Sequence, residues 1–162
     1  MADVANPTEP FLQAPRDDAP GSELLVIPQW TETAWQELFS YAQPLRIREG
    51  ELLIQRGVTE RALFFVTGGS LDIVRTIGDS SLGPIAAVRP GSVVGELGFF
   101  DGRPRSAKVW ATVDSMLLRL DFEAYERYQG AHPARAAELM FAMGRLMALR
   151  IRRTITQSSK HS

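Results

Sequence analysis

Between Leu45 and Leu120 the apolar residues come in short runs, and each run is ended by glycine or a turn pair. The runs are LRIRE, ELLIQRG, ALFFVTG, SLDIVRT, PIAAVRPG, AKVWATV and SMLLRLD. LRIRE alternates Leu45 and Ile47 with charged residues, the period of a half-buried strand. Gly68-Gly69, between ALFFVT and SLDIV, reads as a tight hairpin because both residues tolerate positive φ. Short strands at this spacing, with no helical pattern between them, predict a sandwich or a closed roll and not a parallel sheet with interleaved helices.

The flanks read differently. Residues 1 to 28 hold five prolines among Ala, Asp and Glu, and are expected to form a disordered tail. From Thr31, a candidate N-cap, Ala34, Trp35, Leu38 and Phe39 share one face of a short amphipathic helix ending by Gln43. After Asp121 the period is helical again: a short helix stops at Gly130, and Pro133 opens a long one to about Ile155. Its apolar residues, among them Met140, Met143 and Met147, cover more than one stripe, while Arg135, Glu138, Arg145 and Arg152 mark a wet side. Such a helix is expected to bury one face on the β-domain and a second, methionine-rich face on a partner helix. Residues 156–162 are expected to be flexible. A chain of 162 residues with 44% hydrophobic content suits one domain, placed at 29–155, with the β-roll at about 45–120 and helices at about 121–155.

Composition removes several chemistries. There is no cysteine, so disulfides and thiolate sites are excluded, and a reducing cytoplasm is the expected location. Two histidines, His132 and His161, leave almost nothing for a metal site, and neither a metal nor a cofactor is expected. No run approaches a membrane span, and the first thirty residues lack signal-peptide features. The net charge of −1 hides an asymmetry: Arg145, Arg150, Arg152, Arg153 and Lys160 crowd the C-terminal end. That leaves a basic-helix binder of nucleic acid or anionic membrane as one alternative.

The chemistry concentrates in GELGFFDGRPRSA, Gly95 to Ala107. Glu96 can only accept hydrogen bonds at neutral pH, so a hydroxyl or amine suits it. Arg105 offers a planar fork that matches two oxygens of a phosphate. LGFF can form one helical turn, Gly95 and Gly98 permit close approach of a ligand, and Phe99 and Phe100 can pin the turn to the core. An acceptor for a hydroxyl beside a cradle for one phosphate describes a sugar phosphate or a nucleotide. The alternative is that Glu96 and Arg105 simply pair with one another across the loop.

GELGFFDGRPRSAKVWA resembles the phosphate-binding cassette of the cyclic nucleotide-binding domain, found in bacterial catabolite activator proteins and in regulatory subunits of protein kinase A. Gly95, Glu96, Leu97, Arg105, Ser106 and Ala107 fill the positions of that pattern, and the likeness extends over roughly Trp30 to Ile155. The resemblance implies a mainly β fold: an eight-stranded double-stranded β-helix, a jelly-roll-like barrel, with a short N-terminal helix and C-terminal helices. It implies that Arg105 grips the cyclic phosphate, Glu96 accepts from the ribose 2'-hydroxyl, and Gly95, Leu97, Ser106 and Ala107 contact the sugar phosphate. Val94, Arg150 and Ile151 fall near the base. Ser106 permits cAMP or cGMP. The family's DNA readers carry a helix-turn-helix after the long helix, whereas only seven residues follow Ile155 here. The expected function is a stand-alone, non-enzymatic sensor that signals to an effector protein through its C-terminal helices, with a homodimer seam on the last of them. A ligand-free interaction scaffold of the same fold is the other alternative.

Overall fold

The computed structural model describes residues 6–12, 23–77 and 80–159. Among these, eight strands form two four-stranded antiparallel sheets, so the expected roll is built as a pair of sheets. One sheet has the order β1 (Gln43–Ile47), β8 (Ser115–Asp121), β3 (Ala62–Gly68), β6 (Val93–Val94). The other has the order β2 (Leu52–Ile54), β7 (Lys108–Ala111), β4 (Leu71–Ile77), β5 (Ser80–Val88). Pro44, which cannot donate to a ladder, lies in edge strand β1.

Strand β3 explains the layering. Its run ALFFV is apolar at every position because both faces are covered. Ala62, Phe64 and Val66 join Ile54, Leu71, Val88, Val109 and Leu117 in a core between the sheets. Leu63 and Phe65 point to the other face and join a second core with the helices. That core holds Trp35, Leu38 and Phe39 of α1 (Glu32–Phe39), Tyr125 and Tyr128 of α3 (Phe122–Ala131), and Leu139, Met143 and Leu146 of α4 (Pro133–Ser159). Thr31 stands at the N-cap of α1 without a side-chain cap bond, whereas the Asp121 carboxylate accepts from the Ala124 N–H and caps α3.

Four expectations are corrected. Gly68-Gly69 is not a hairpin within one sheet: β3 and β4 belong to different sheets, and the chain turns a corner between them. Gly69 has φ +89°, and a Cβ there would lie 2.7 Å from the Ser115 Cα, so the corner admits no side chain. The N-terminal segment is not a tail where it is described. Pro10 lies in a 3-10 turn, Glu9–Phe11, that inserts Phe11 between Trp35, Phe39 and Phe65, with ring centroids 4.8, 5.4 and 6.0 Å away. Residues 23–30 form a strap that buries Leu25, Ile27 and Trp30. At the other end α4 continues through Ser159, past the expected boundary at Ile155. Residues 1–5, 13–22 and 160–162, with the rest of both expected tails and Lys160 and His161, lie outside the described residues.

The fourth correction concerns the second face of α4. Met143 is fully buried, and Met140 and Met147 are half-buried, so methionines do not make the outer face. It is formed by Ala137, Phe141, Gly144, Ala148, Ile151 and Ile155, all exposed, with Phe141 82% accessible. Of the expected wet side, Glu138 accepts from the Trp30 indole N–H at 3.1 Å, and the Arg135 guanidinium lies 5.9 Å from the Trp30 ring centre. Among the described residues no helix is long and apolar enough to cross a membrane.

Candidate functional site

The 95–107 loop leaves the sheet at β6, whose Val93 and Val94 pair with Phe65 and Phe64 of β3. Gly95 turns the chain with φ +88° into α2 (Glu96–Asp101), the expected helical turn, and Gly102 ends it with φ +68°. Arg61 holds the end of this helix: its Nε donates to the Phe99 carbonyl at 3.0 Å and Nη2 to the Phe100 carbonyl at 3.3 Å, while its guanidinium stacks 3.7 Å over Phe122. Phe99 anchors α2 in the core against Phe122 and Tyr125; Phe100 is 39% exposed and anchors nothing comparable. The Arg103 N–H then bonds the Asp101 carboxylate at 2.9 Å, closing the return turn.

Arg105 is brought inward by its backbone, which bonds Val58 and Gly57 at 2.8 and 2.9 Å. Arg105 is 5% exposed; its Nη1 donates to the Gly95 carbonyl at 2.6 Å and Nη2 to the Ala62 carbonyl at 3.0 Å. The Glu60 carboxylate lies 4.0 Å from Nη2 and itself pairs with Arg119 at 2.9 Å. Burial pulls the Arg105 pKa below its ordinary value; Glu60 and then Glu96 work against that shift, and Arg119 adds to it. Arg105 stays a cation, but one whose water has been replaced by fixed carbonyls. Its buried Nε–H has no hydrogen-bond partner among the described residues. A buried charged donor left unmatched is costly, and an anion oxygen would satisfy it.

Glu96 does not pair with Arg105. It belongs to an ion pair with Arg150 of α4, Oε1 to Nη1 at 2.8 Å. Glu96 and Arg105 nevertheless line one concavity, together with Ile54, Ile73, Val94, Gly95, Leu97, Gly98, Ser106, Ala107 and Val109, which encloses about 460 Å³ with its open mouth included. The structure thus brings together all seven loop residues singled out in the sequence, with Val94 beside them. Arg150 and Ile151 lie instead on a second, adjoining concavity with Met147, Thr154 and Ile155, which shares Glu96 and Leu97 with the first. Arg150 is not free to reach a base: its Nη2 also donates to Ser92 Oγ at 3.1 Å and to the Val93 carbonyl at 2.6 Å. Sequence reasoning missed Arg61 and Ser92. Their roles depend on which carbonyl or hydroxyl the fold sets beside them, and no local pattern carries that.

Chemically, the concavity combines apolar side chains with one cationic fork and one carboxylate, matched to a small ligand with one anionic group and a hydroxyl. Among the described residues no group of acidic and histidine side chains is arranged to hold a metal ion.

A family model of the cyclic nucleotide-binding domain matches residues 44–130, more than half of the chain. The fold is similar to a solved cyclic nucleotide-binding domain from Methylobacillus flagellatus, with a TM-score of 0.78 at 20% identity, covering 86% of this chain and 79% of that one. It is also similar to the catabolite activator protein of Thermus thermophilus, with a TM-score of 0.72 at 25% identity, covering 82% of this chain and 61% of that one. In sequence, the Pycsar effector protein BcPycTIR of Burkholderia cepacia is 29% identical over 98 residues, 60% of this chain and 31% of that protein. The chain spans less than a third of the length of the curated relatives it matches. With the loop, the two sheets and the flanking helices in the places that the pattern requires, the chain belongs to the cyclic nucleotide-binding domain family.

Proposed function

We propose that this domain is a sensor of one cyclic mononucleotide, cAMP or cGMP, and that it passes its state to an effector protein through α3 and α4. The observation that carries the reading is the buried Arg105: a guanidinium lining the concavity with an unmatched Nε–H, in the same wall as the Glu96 carboxylate. In this reading the cyclic phosphate accepts from Arg105, and the ribose 2'-hydroxyl donates to Glu96. Gly95, Gly98, Ser106 and Ala107 keep the wall thin enough for the sugar phosphate to reach it. The basic-helix alternative loses ground, because Arg150 and Arg153 are spent on Glu96 and Glu23 inside the domain. Calorimetric titration of the chain with cAMP and with cGMP is the test. Saturable binding of one of them at 1:1 is the expected outcome, and absence of both at about millimolar ligand, a ~4 kcal/mol interaction, would leave a ligand-free scaffold.

Gly98 gives a sharper check on the phosphate side. A Cβ at this helical position would sit 2.9 Å from Arg105 Nη1 and 3.3 Å from its Cδ. Gly98→Ala must therefore displace the guanidinium, while alanine improves α2 by about 1 kcal/mol. We expect affinity to fall about tenfold, roughly 1.4 kcal/mol, with the melting temperature within a few degrees of wild type, because the helix gain offsets the strain on the Arg105 bonds to the Gly95 and Ala62 carbonyls. Unchanged affinity would mean that the phosphate does not rest on Arg105.

The outer face of α4 supports a homodimer as the unit that signals. Ala137, Phe141, Gly144, Ala148, Ile151 and Ile155 recur at alternating spacings of four and three, the a/d seam of a coiled coil. A second copy offers the same seam and covers it by symmetry. Sedimentation should give the dimer mass for the wild type and the monomer mass for Phe141→Glu; a monomeric wild type would reserve the seam for the effector.

A further inference from the structure

The strap at residues 23–30 touches no part of the concavity, yet it is wired to it. Starting at the site, Arg150 Nη1 holds Glu96 Oε1 and its Nη2 donates to Ser92 Oγ at 3.1 Å. The Ser92 hydroxyl, itself buried, donates onward to the Glu23 carbonyl at 2.8 Å. The Glu23 carboxylate then returns to α4 through Arg153 at 3.2 Å. Beside this ring of bonds the Leu25 N–H donates to the Gly91 carbonyl at 2.9 Å, and Gly91, with φ +97°, leaves no room for a Cβ because the Pro10 carbonyl would be 2.7 Å from it. Four separate pieces of chain are therefore tied at one place: the mouth of the ligand loop, the approach to β6, the N-terminal strap and the last helix.

We propose that Arg150 is a positioning residue that holds Glu96 for the ligand's hydroxyl, and that the Glu96–Arg150–Ser92–Glu23–Arg153 relay makes the N-terminal strap part of the ligand-responsive unit. The inference rests on the cyclic nucleotide reading of the site. Arg150 occupies Oε1 of Glu96, so Oε2 is the atom that accepts from the sugar. The paired guanidinium also offsets a negative charge that would otherwise repel the phosphate nearby. A hydroxyl bound to Glu96 then strengthens the same cluster that fixes Arg150, because the members of a partly buried hydrogen-bond network reinforce one another. The last helix and the strap, both bonded to that cluster, tighten together. Coupling requires only that the ligand prefer the tied arrangement to the untied one.

The experiment is hydrogen exchange on the full chain, with and without saturating cAMP or cGMP, alongside calorimetry. In the wild type, nucleotide should slow exchange in both 23–30 and 146–156. In Arg150→Gln affinity should fall roughly tenfold, as expected when a charge-assisted contact to the accepting carboxylate is lost, and both segments should stop responding. In the double variant Glu23→Gln, Ser92→Ala, which leaves the Arg150 bond to Glu96 in place, the helix should still respond and the strap should not. Nucleotide binding with strap amides unmoved in the wild type, or a strap response that survives the double variant, overturns the relay alone. Failure of the wild type to bind either nucleotide overturns the ligand reading, and the coupling to it falls with that reading.

Discussion

Arg105→Ala should weaken cyclic nucleotide binding by about 100-fold or more while the chain stays folded. Two charge-assisted bonds to a phosphate at ~1.5–3 kcal/mol each set that scale. The fold should survive, because the loop is held at this point by backbone bonds of Arg105 to Val58 and Gly57, which an alanine keeps. The Gly95 carbonyl also keeps a partner in the Phe99 N–H. The Ala62 carbonyl loses its bond from Nη2, which argues for a cost of about 1–3 kcal/mol, or about 2–12 °C of melting temperature. Arg105→Lys separates charge from geometry: a lysine keeps the cation but cannot satisfy two carbonyls and a phosphate from one planar fork, so it should recover only part of the loss. The measurements are isothermal titration with cAMP and cGMP and a thermal melt of each variant. Affinity of Arg105→Ala within about threefold of wild type, a difference under ~1 kcal/mol, would remove the phosphate from this loop.

The seven loop residues were legible in the sequence because their signal is local. Gly95 stands where the backbone must take positive φ, an acid opens a short helix, and an arginine returns nine positions later. The strands were legible for a similar reason, since period-2 alternation and glycine stops are written along the chain. What could not be read there is whatever depends on the far side of a contact. The local pattern offers Arg105 as a partner for Glu96, yet its partner is Arg150, fifty-four positions away and brought near only when α4 folds back over β6. Gly68-Gly69 has the chemistry of a hairpin, but the Ser115 backbone against Gly69 makes it a corner between sheets. Phe11 sits among prolines and acids with no periodic neighbour, so nothing local announces it as a core residue. A partial signal exists at LLVI, where Leu25 and Ile27 are buried in alternation; five prolines in the surrounding stretch mask it.

Phe11, buried without a local pattern to announce it, is the most informative position for stability. If the 3-10 turn at Glu9–Phe11 is part of the folded domain, Phe11→Ala should cost about 3–5 kcal/mol, the usual range for removing a buried phenyl ring. The ring is 4% exposed and lies edge-on to Phe39 and Phe65 and tilted against Trp35, so its removal opens a void lined by three aromatic side chains. Trp35, which is fully buried, has few ways to fill it. For a chain of this size the melting temperature should fall by about 6–20 °C, at ~2–4 °C per kcal/mol. The segment can also detach as a unit, which limits the loss to the free energy that holds it. Hydrogen exchange distinguishes the two outcomes: detachment exposes residues 6–12 alone, whereas a lost core contact loosens α1 as well. A melt within about 2 °C of wild type, under ~1 kcal/mol, would return this segment to the status of a tail. It would also weaken the case that the strap beside it moves with the ligand site, because the Pro10 carbonyl and the strap residue Leu24 pack on the same Gly91 that precedes Ser92.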